Sequence, residues 1–285
     1  MGKPLVRIVV SRLGKVDDED VKDIIDIMQE CYGRLLPHDV SIVELYIFQR
    51  SSALEAFFAK ERGETGVVTD FFAESFFAMH DAWRGTPRIT ICLERMDKLP
   101  ELVKIGGIRH EVGHSVLHGS LQYYLLPFPP SLVKIASHLS FPDEYSGNLL
   151  YLFSIAVKDY EVTRLLYERG YVEDQVAYAR FMLKTSEDDM FAWKISKGKP
   201  FLEALYLVSC LKALGCVVPL LNDAKMGILL KQELEESLNY LPTDHFHAIL
   251  KIVEEAPEIM EMDTLRNIDN FIRKCNPLFD AIFKS

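Results

Sequence analysis

An α+β fold is predicted by three observations on the sequence. Strand and helix signals alternate through the first third of the chain, whereas nearly every segment after Asn148 has helical periodicity. Between these regions, prolines at 127, 129 and 130 predict a stiff connection. We therefore expect an α/β part over residues 1–125, followed by a mostly helical part over residues 126–285.

The first two strands are each followed by a helix. Residues 5–11 form a short β-branched segment, and residues 17–32 begin with acidic side chains and continue with apolar residues at helical spacing. Residues 40–49 predict a second strand and residues 51–62 a second helix that begins at a serine. Residues 71–83 are ambiguous, because their aromatic content favours a strand while alanine and glutamate allow a helix.

A third strand and a third helix follow directly on one another. Residues 87–95 alternate between apolar and polar side chains, which predicts a half-buried strand. Residues 100–118 then predict a helix that begins with proline and ends at Gly119. Gly106 and Gly107 lie inside this helix at a cost of about 1 kcal/mol each relative to alanine, so we expect close backbone packing or a break there.

The C-terminal part predicts a set of helices. Residues 201–221 are its most apolar stretch, but Glu203, Lys212 and Pro219 interrupt the stretch, which indicates a buried core helix and argues against membrane association. The predicted helices cover residues 148–169, 172–185, 199–216, 225–240, 244–256 and 263–283.

Composition and charge exclude several classes of protein. The 285 residues are 49% hydrophobic and 26% charged, which is typical of a globular chain. The net charge of -10, without any basic run, argues against a nucleic-acid partner. The five cysteines are scattered and odd in number, which indicates free thiols in a reducing compartment, and we expect a cytoplasmic protein.

The strongest chemical signal is the HExxH motif formed by His110, Glu111 and His114 on the predicted third helix. Four residues turn a helix by about 400° and advance it by about 6 Å, so the two imidazoles can converge on one ion. Zinc accepts this geometry. Glu111 is displaced from the ligand line and can take a proton from a water molecule that the metal activates.

The motif resembles that of the zincin superfamily of zinc metallopeptidases. This resemblance implies a mixed sheet beside the active-site helix, one zinc ion, and a peptide or protein substrate. It also implies that the strand before the helix, at residues 87–95, lines the cleft and pairs with an extended substrate. A donor that stabilises the developing oxyanion is required as well. The unranked candidates for this donor are Tyr124, His138, Tyr145 and Tyr160.

The third zinc ligand decides the subfamily. The metzincin pattern is rejected, because Leu117 and Ser120 stand where it requires glycine and histidine. His118 lies about 12 Å along the helix from His110, too far for both to bind one ion, and we interpret it as a cap or packing residue. Cys210 and Cys216 are likewise interpreted as packing residues.

Two carboxylates on the helix at 148–169 are candidates for the third ligand. The segment 158–165 resembles the second motif of the gluzincins, with Asp159 at the ligand position and Thr163 where the family has aspartate. The residues three and four positions from Asp159 on the helix are mostly apolar. A carboxylate in such surroundings is unfavourable unless it has a partner, such as a metal ion. Glu161 lies near Lys158 and Arg164, as in a surface ion pair. We favour Asp159 and keep Glu161 as the alternative.

These residues predict a gluzincin-like zinc peptidase in which His110, His114 and Asp159 or Glu161 bind the metal and Glu111 activates water. The alternative is a zincin-like module that acts in regulation or interaction without cleaving peptides. Its support is the departure of Asp159 and Thr163 from the family pattern.

Overall fold

A computed structural model describes residues 5–65 and 76–283. The chain is mixed α+β, with a small sheet and 66% helix, as the predicted fold class requires. It divides into two compact units. The first consists of Met1–Leu126 with Glu168–Tyr178, and the second of Pro127–Tyr167 with Ala179–Ser285.

The first unit contains a mixed four-stranded sheet in the order β1-β2-β4-β3. The first, second and fourth strands are parallel, and the third runs antiparallel to the fourth. The ambiguous segment at 71–83 therefore contains a strand, while its residues 71–75 lie outside the described part of the chain. The strands are β1 (Arg7–Leu13), β2 (Ile42–Phe48), β3 (Ala78–Asp81) and β4 (Arg88–Cys92).

Helices cover both faces of this sheet. On one face, Leu54 and Phe58 pack against Phe48 of β2 and Cys92 of β4. Because strand side chains alternate, the register that pairs His80 with Ile89 directs both side chains to the opposite face. The helices of this unit are α1 (Asp18–Arg34), α2 (Ser51–Thr65), α3 (Leu93–Met96) and α4 (Glu101–His118), with a 3-10 turn at Leu121–Tyr123.

The interpretation of residues 87–95 as a half-buried strand that pairs with an extended substrate is wrong in three respects. All five residues of β4 are buried, and the last residues of the segment form α3. The strand also pairs with β2 on one side and β3 on the other, so an extended substrate cannot add to it. The physical reason is the antiparallel β3, which occupies the position at the edge of the sheet.

The expectation of close packing at the two glycines of α4 is confirmed. A Cβ atom on Gly106 would clash with the carbonyl oxygen of Asp174, and one on Gly107 would clash with the ring of Phe77. Only glycine lets the helix approach both neighbours this closely, which explains why the helix accepts its conformational cost.

Replacing Gly107 by alanine is expected to destabilise the protein by about 1–3 kcal/mol, because the Phe77 ring must move out of a packed position. Gly147 is a matched control, because it lies in a helix with no atom within 4 Å of an added Cβ. Gly147→Ala should instead stabilise by about 0.5–1 kcal/mol. Urea unfolding of both variants measures the difference, and equal effects would contradict the packing argument.

The second unit is helical in the residues described. Predicted helices at 148–169, 199–216, 225–240 and 244–256 are confirmed with shifted ends. The helices of the remaining chain are α5 (Pro130–Leu139), α6 (Asp143–Glu168), α7 (Glu173–Met182), α8 (Glu187–Ser196), α9 (Pro200–Gly215), α10 (Gly227–Leu238), α11 (Thr243–Ile259), α12 (Thr264–Lys274) and α13 (Asn276–Phe283), with a 3-10 turn at Val218–Leu220.

Three helix boundaries differ from the prediction. The proline cluster is not only a connection between the two regions, because Pro130 begins helix α5. Proline is tolerated in the first turn of a helix, where a backbone amide has no acceptor within the helix. Ser186 begins the unpredicted α8 through a capping box with Asp189. The single helix predicted at 263–283 is broken at Cys275, because Pro277 has no amide hydrogen with which to continue α12.

The cysteines and the most apolar segment of the chain also agree with the sequence-based expectations. All five cysteines are free thiols, as their spacing predicts. The apolar segment from residue 201 forms α9, whose Leu207, Val208 and Leu211 are buried. Across residues 5–65 and 76–283, every helix is too short or too polar to cross a bilayer.

Candidate metal centre

The HExxH motif lies in the second half of α4, and its two histidine rings converge as the helical spacing predicts. His110 is buried, His114 is partly buried, and their Nε2 atoms are 3.1 Å apart. Two nitrogen ligands of a tetrahedral zinc ion, each about 2.05 Å from the metal, are about 3.3 Å apart. The spacing of the two rings therefore fits a shared ion.

Glu111 is 5% exposed and lies on the turn of α4 between the two histidines. This part of the helix is held in place by α1. Tyr32 donates a hydrogen bond to Ser115 Oγ over 2.7 Å, and Ser115 donates to the carbonyl of Val112 over 2.7 Å. Burial raises the pKa of Tyr32 above its ordinary value, so its hydroxyl remains a donor. The helix that carries the motif is thus anchored to α1 at Ser115.

Two more histidines surround His114. His118 is fully buried, and its Nδ1 lies 3.2 Å from Nδ1 of His114. On β3, the ring of His80 is parallel to that of His114 with centroids 6.0 Å apart. Sequence reasoning missed His80 because its strand was ambiguous, and it assigned His118 no contact with the motif.

Tyr124 is the oxyanion candidate that lies in the first unit with these histidines. Its hydroxyl and Nδ1 of His80 are 2.9 Å apart, and its ring packs against Trp83. The other candidates lie in the second unit: His138 is exposed, Tyr145 packs in an aromatic cluster with Phe141 and Phe201, and Tyr160 is buried.

Asp159 and Glu161 are both buried on α6, where they have different surroundings. Glu161 accepts hydrogen bonds from Thr264 Oγ1 over 2.8 Å and from Asn267 Nδ2 over 2.5 Å. The interpretation of Glu161 as part of a surface ion pair is therefore wrong. The reason is tertiary, because α12 covers this face of α6 and supplies polar partners.

The neighbouring Lys158 is buried as well, which the sequence did not indicate. Burial lowers the pKa of its ammonium group to about 8, although the charges of Asp159 and Glu161 act in the opposite direction. Arg164, the other expected partner of Glu161, instead donates to the carbonyls of Met260 and Glu261.

Cys216 is a second residue whose position sequence reasoning missed. Gly215, at the end of α9, approaches α6 so closely that an added Cβ would meet Ala156 and Asp159. The following residue is therefore brought near the carboxylate, and the Cys216 sulfur lies within 4.8 Å of an Asp159 oxygen. The sequence signal for this position was a glycine followed by a cysteine at a helix end, but this pair is too common to predict a metal ligand.

The buried side chains of His110, Asp159 and Cys216 form a group that can hold a metal ion. Among the described residues, this group does not include His114 or Glu161. His114 is nevertheless joined to it through the 3.1 Å approach to His110. Comparison of the chain with protein-family models, curated proteins and solved structures finds no match.

Proposed function

We propose that this protein is a zinc-dependent metallopeptidase in which His110, His114 and Asp159 bind the metal and Glu111 activates water. The observation that carries the proposal is the 3.1 Å separation of the two Nε2 atoms on a helix that also presents a buried Glu111. Imidazole and carboxylate are ligands that zinc prefers, and three protein ligands leave one position open for water.

The proposed chemistry divides between the ion and the chain. A bound zinc ion supplies a Lewis acid that lets water ionise near neutral pH. Glu111 takes the proton of the attacking water and transfers it to the leaving amine. Of the oxyanion candidates we choose Tyr124 as the donor to the developing oxyanion, supported by its contact with His80, whose ring is stacked on that of His114. The edge strand β3 replaces β4 as the strand to which an extended substrate adds.

Asp159 is preferred over Glu161 as the third ligand for two reasons. It belongs to the group of buried ligands with His110, whereas both Glu161 oxygens accept hydrogen bonds from α12. A carboxylate engaged by Thr264 and Asn267 must give up these bonds before it can bind a metal.

The test is to measure zinc per chain, by elemental analysis, and turnover of a peptide library by the wild type, Asp159→Ala and Glu161→Ala. We expect one zinc ion in the wild type, loss of zinc and of turnover in Asp159→Ala, and retained zinc in Glu161→Ala. The last variant should lose about 1–3 kcal/mol of stability, because Thr264 and Asn267 lose a buried acceptor. A wild type that neither binds zinc nor cleaves any peptide would reject the proposal.

The second candidate function is a closed structural zinc site in a regulatory or interaction module. It is favoured by the Cys216 sulfur near Asp159, because a fourth protein ligand would leave no position for water. Cys216→Ser separates the candidates. A peptidase should keep zinc and turnover in this variant, whereas a closed site should lose zinc and show no turnover even in the wild type.

A further inference from the structure

His118 is the last residue of α4, one turn beyond His114, and it is fully buried. Its ring is tilted against that of His114, with centroids 5.4 Å apart and the two Nδ1 atoms separated by 3.2 Å. The two nitrogens of His114 thus face in different directions. Nε2 points toward Nε2 of His110, and Nδ1 points toward His118.

This arrangement determines where the protons lie once the metal is bound. A neutral imidazole has one nitrogen with a lone pair and one that carries hydrogen. If Nε2 of His114 binds zinc, Nδ1 must carry the hydrogen and donate it to Nδ1 of His118. His118 must then be the tautomer protonated on Nε2. One metal bond therefore sets the tautomers of two rings.

We propose that His118 is a positioning residue that accepts a hydrogen bond from His114 and holds its Nε2 toward the metal. This inference rests on the proposed metal site. Histidine ligands almost always donate their second nitrogen to a carboxylate, a carbonyl or water, and loss of that partner typically weakens metal binding 10–100-fold. Here the acceptor is a neutral imidazole on the same helix, so it orients the ligand without adding a buried charge.

The surroundings keep His118 in place for this role. The ring of Tyr123 meets the His118 ring edge-on with centroids 5.2 Å apart. The following Gly119 lies so close to Ser115 and Pro87 that an added Cβ would contact both. Ser115 in turn accepts a hydrogen bond from Tyr32. The end of α4 is thus packed from several sides, and the His118 ring has little freedom to turn away.

The test compares His118→Asn, His118→Gln and His118→Leu in the full-length chain. The asparagine amide overlaps the Nδ1 edge of imidazole, so its oxygen can still accept from His114, whereas the glutamine amide reaches the Nε2 edge. We expect zinc affinity, measured by competition with a chelator, to stay within about 3-fold in the asparagine variant. It should fall about 10–100-fold in the glutamine and leucine variants.

A purely structural role of His118 predicts a different order of zinc affinities among the variants. Leucine fills the buried volume without a polar atom, so the metal-free leucine variant should be at least as stable as the asparagine variant. If His118 only packs, zinc affinity will follow the stability measured by urea unfolding. If it positions His114, asparagine will bind zinc more tightly than leucine although it is no more stable. The visible spectrum of the Co²⁺ forms reports whether ligand geometry changes in parallel.

Failure of this inference is distinguishable from failure of the proposed function. A wild type that binds neither zinc nor cobalt rejects the metal site itself. Equal affinities in the wild type and all three variants reject only the role of His118. Two ions per wild-type chain, one of them lost in every variant, would make His118 a ligand of a second ion and overturn the positioning role.

Discussion

Glu111→Gln is expected to keep its zinc and to lower peptide hydrolysis by a factor of about 10²–10⁴ or more. Glutamine preserves the size of the side chain but cannot take a proton from water. Because Glu111 is displaced from the line of His110 and His114 on α4, it is not needed to hold the ion. Zinc content and turnover, measured on the same preparation, check both parts of the prediction.

Glu101→Gln supplies the matched control. Glu101 lies in the first turn of the same helix, where its side chain is 71% exposed and pairs with Lys104. This substitution changes the net charge by the same amount but should leave zinc and turnover unchanged. Unchanged turnover in Glu111→Gln would reject the mechanism, and loss of zinc in that variant would make Glu111 a ligand.

Arg88→Met is expected to cost about 3–5 kcal/mol of the free energy of unfolding, a large share of the about 5–15 kcal/mol typical of a protein. Arg88 is 3% exposed on β4. Its Nε donates to Asp81 over 2.8 Å, and its terminal nitrogens donate to the two oxygens of Glu61 over 2.8 and 2.9 Å. Methionine would leave the buried Asp81 carboxylate without its counter-ion.

The stability that Arg88→Met loses is expected to increase as pH rises. Burial raises the pKa of Asp81 above its ordinary value of 3.8, and the charge of Arg88 opposes that rise. Without Arg88 the pKa of Asp81 rises further, so the folded variant binds more protons than the unfolded chain. Its stability therefore falls as pH rises above 3.8 and through the raised folded pKa, and the deficit relative to the wild type should be larger at pH 7 than at pH 5.

Glu61 contributes with the opposite sign. Although burial raises the pKa of Glu61, the hydrogen bonds and charge of Arg88 outweigh it and hold the pKa below 4.5. In the wild type this stabilisation is present above pH 4.5 and is lost as pH falls through the folded pKa. The methionine variant loses the share that Arg88 supplies, whereas the charge of Arg84, whose guanidinium lies 2.8 Å from Glu61, continues to lower the pKa of Glu61.

Arg180→Met is the control for loss of an ion pair that is not buried. Arg180 forms a bidentate pair with Glu233, but its side chain is 48% exposed. Pairs of this kind contribute about 0–1 kcal/mol. Urea unfolding at pH 7 and pH 5 compares the two variants. A small, pH-independent cost for Arg88→Met would show that Asp81 tolerates burial alone.

Local patterns were enough to predict the elements that follow from short-range physics. The helix at 101–118 follows from its proline start, its apolar spacing and the glycine after its end, and the convergence of His110 and His114 follows from helix geometry alone. The strands at β1 and β2 follow from β-branched residues. None of these depends on which distant segment packs against them.

Long-range pairing decided the rest. The pairing of β4 with β2 and the engagement of Glu161 by α12 arise between segments far apart in the chain. The same holds for Cys216 beside Asp159 and for His80 beside His114. Side-chain periodicity indicates that one face of a helix or strand is buried, but it does not identify the segment that packs against that face. The sequence therefore determined the motif and the helix that carries it, whereas only the tertiary structure decided which other side chains surround it.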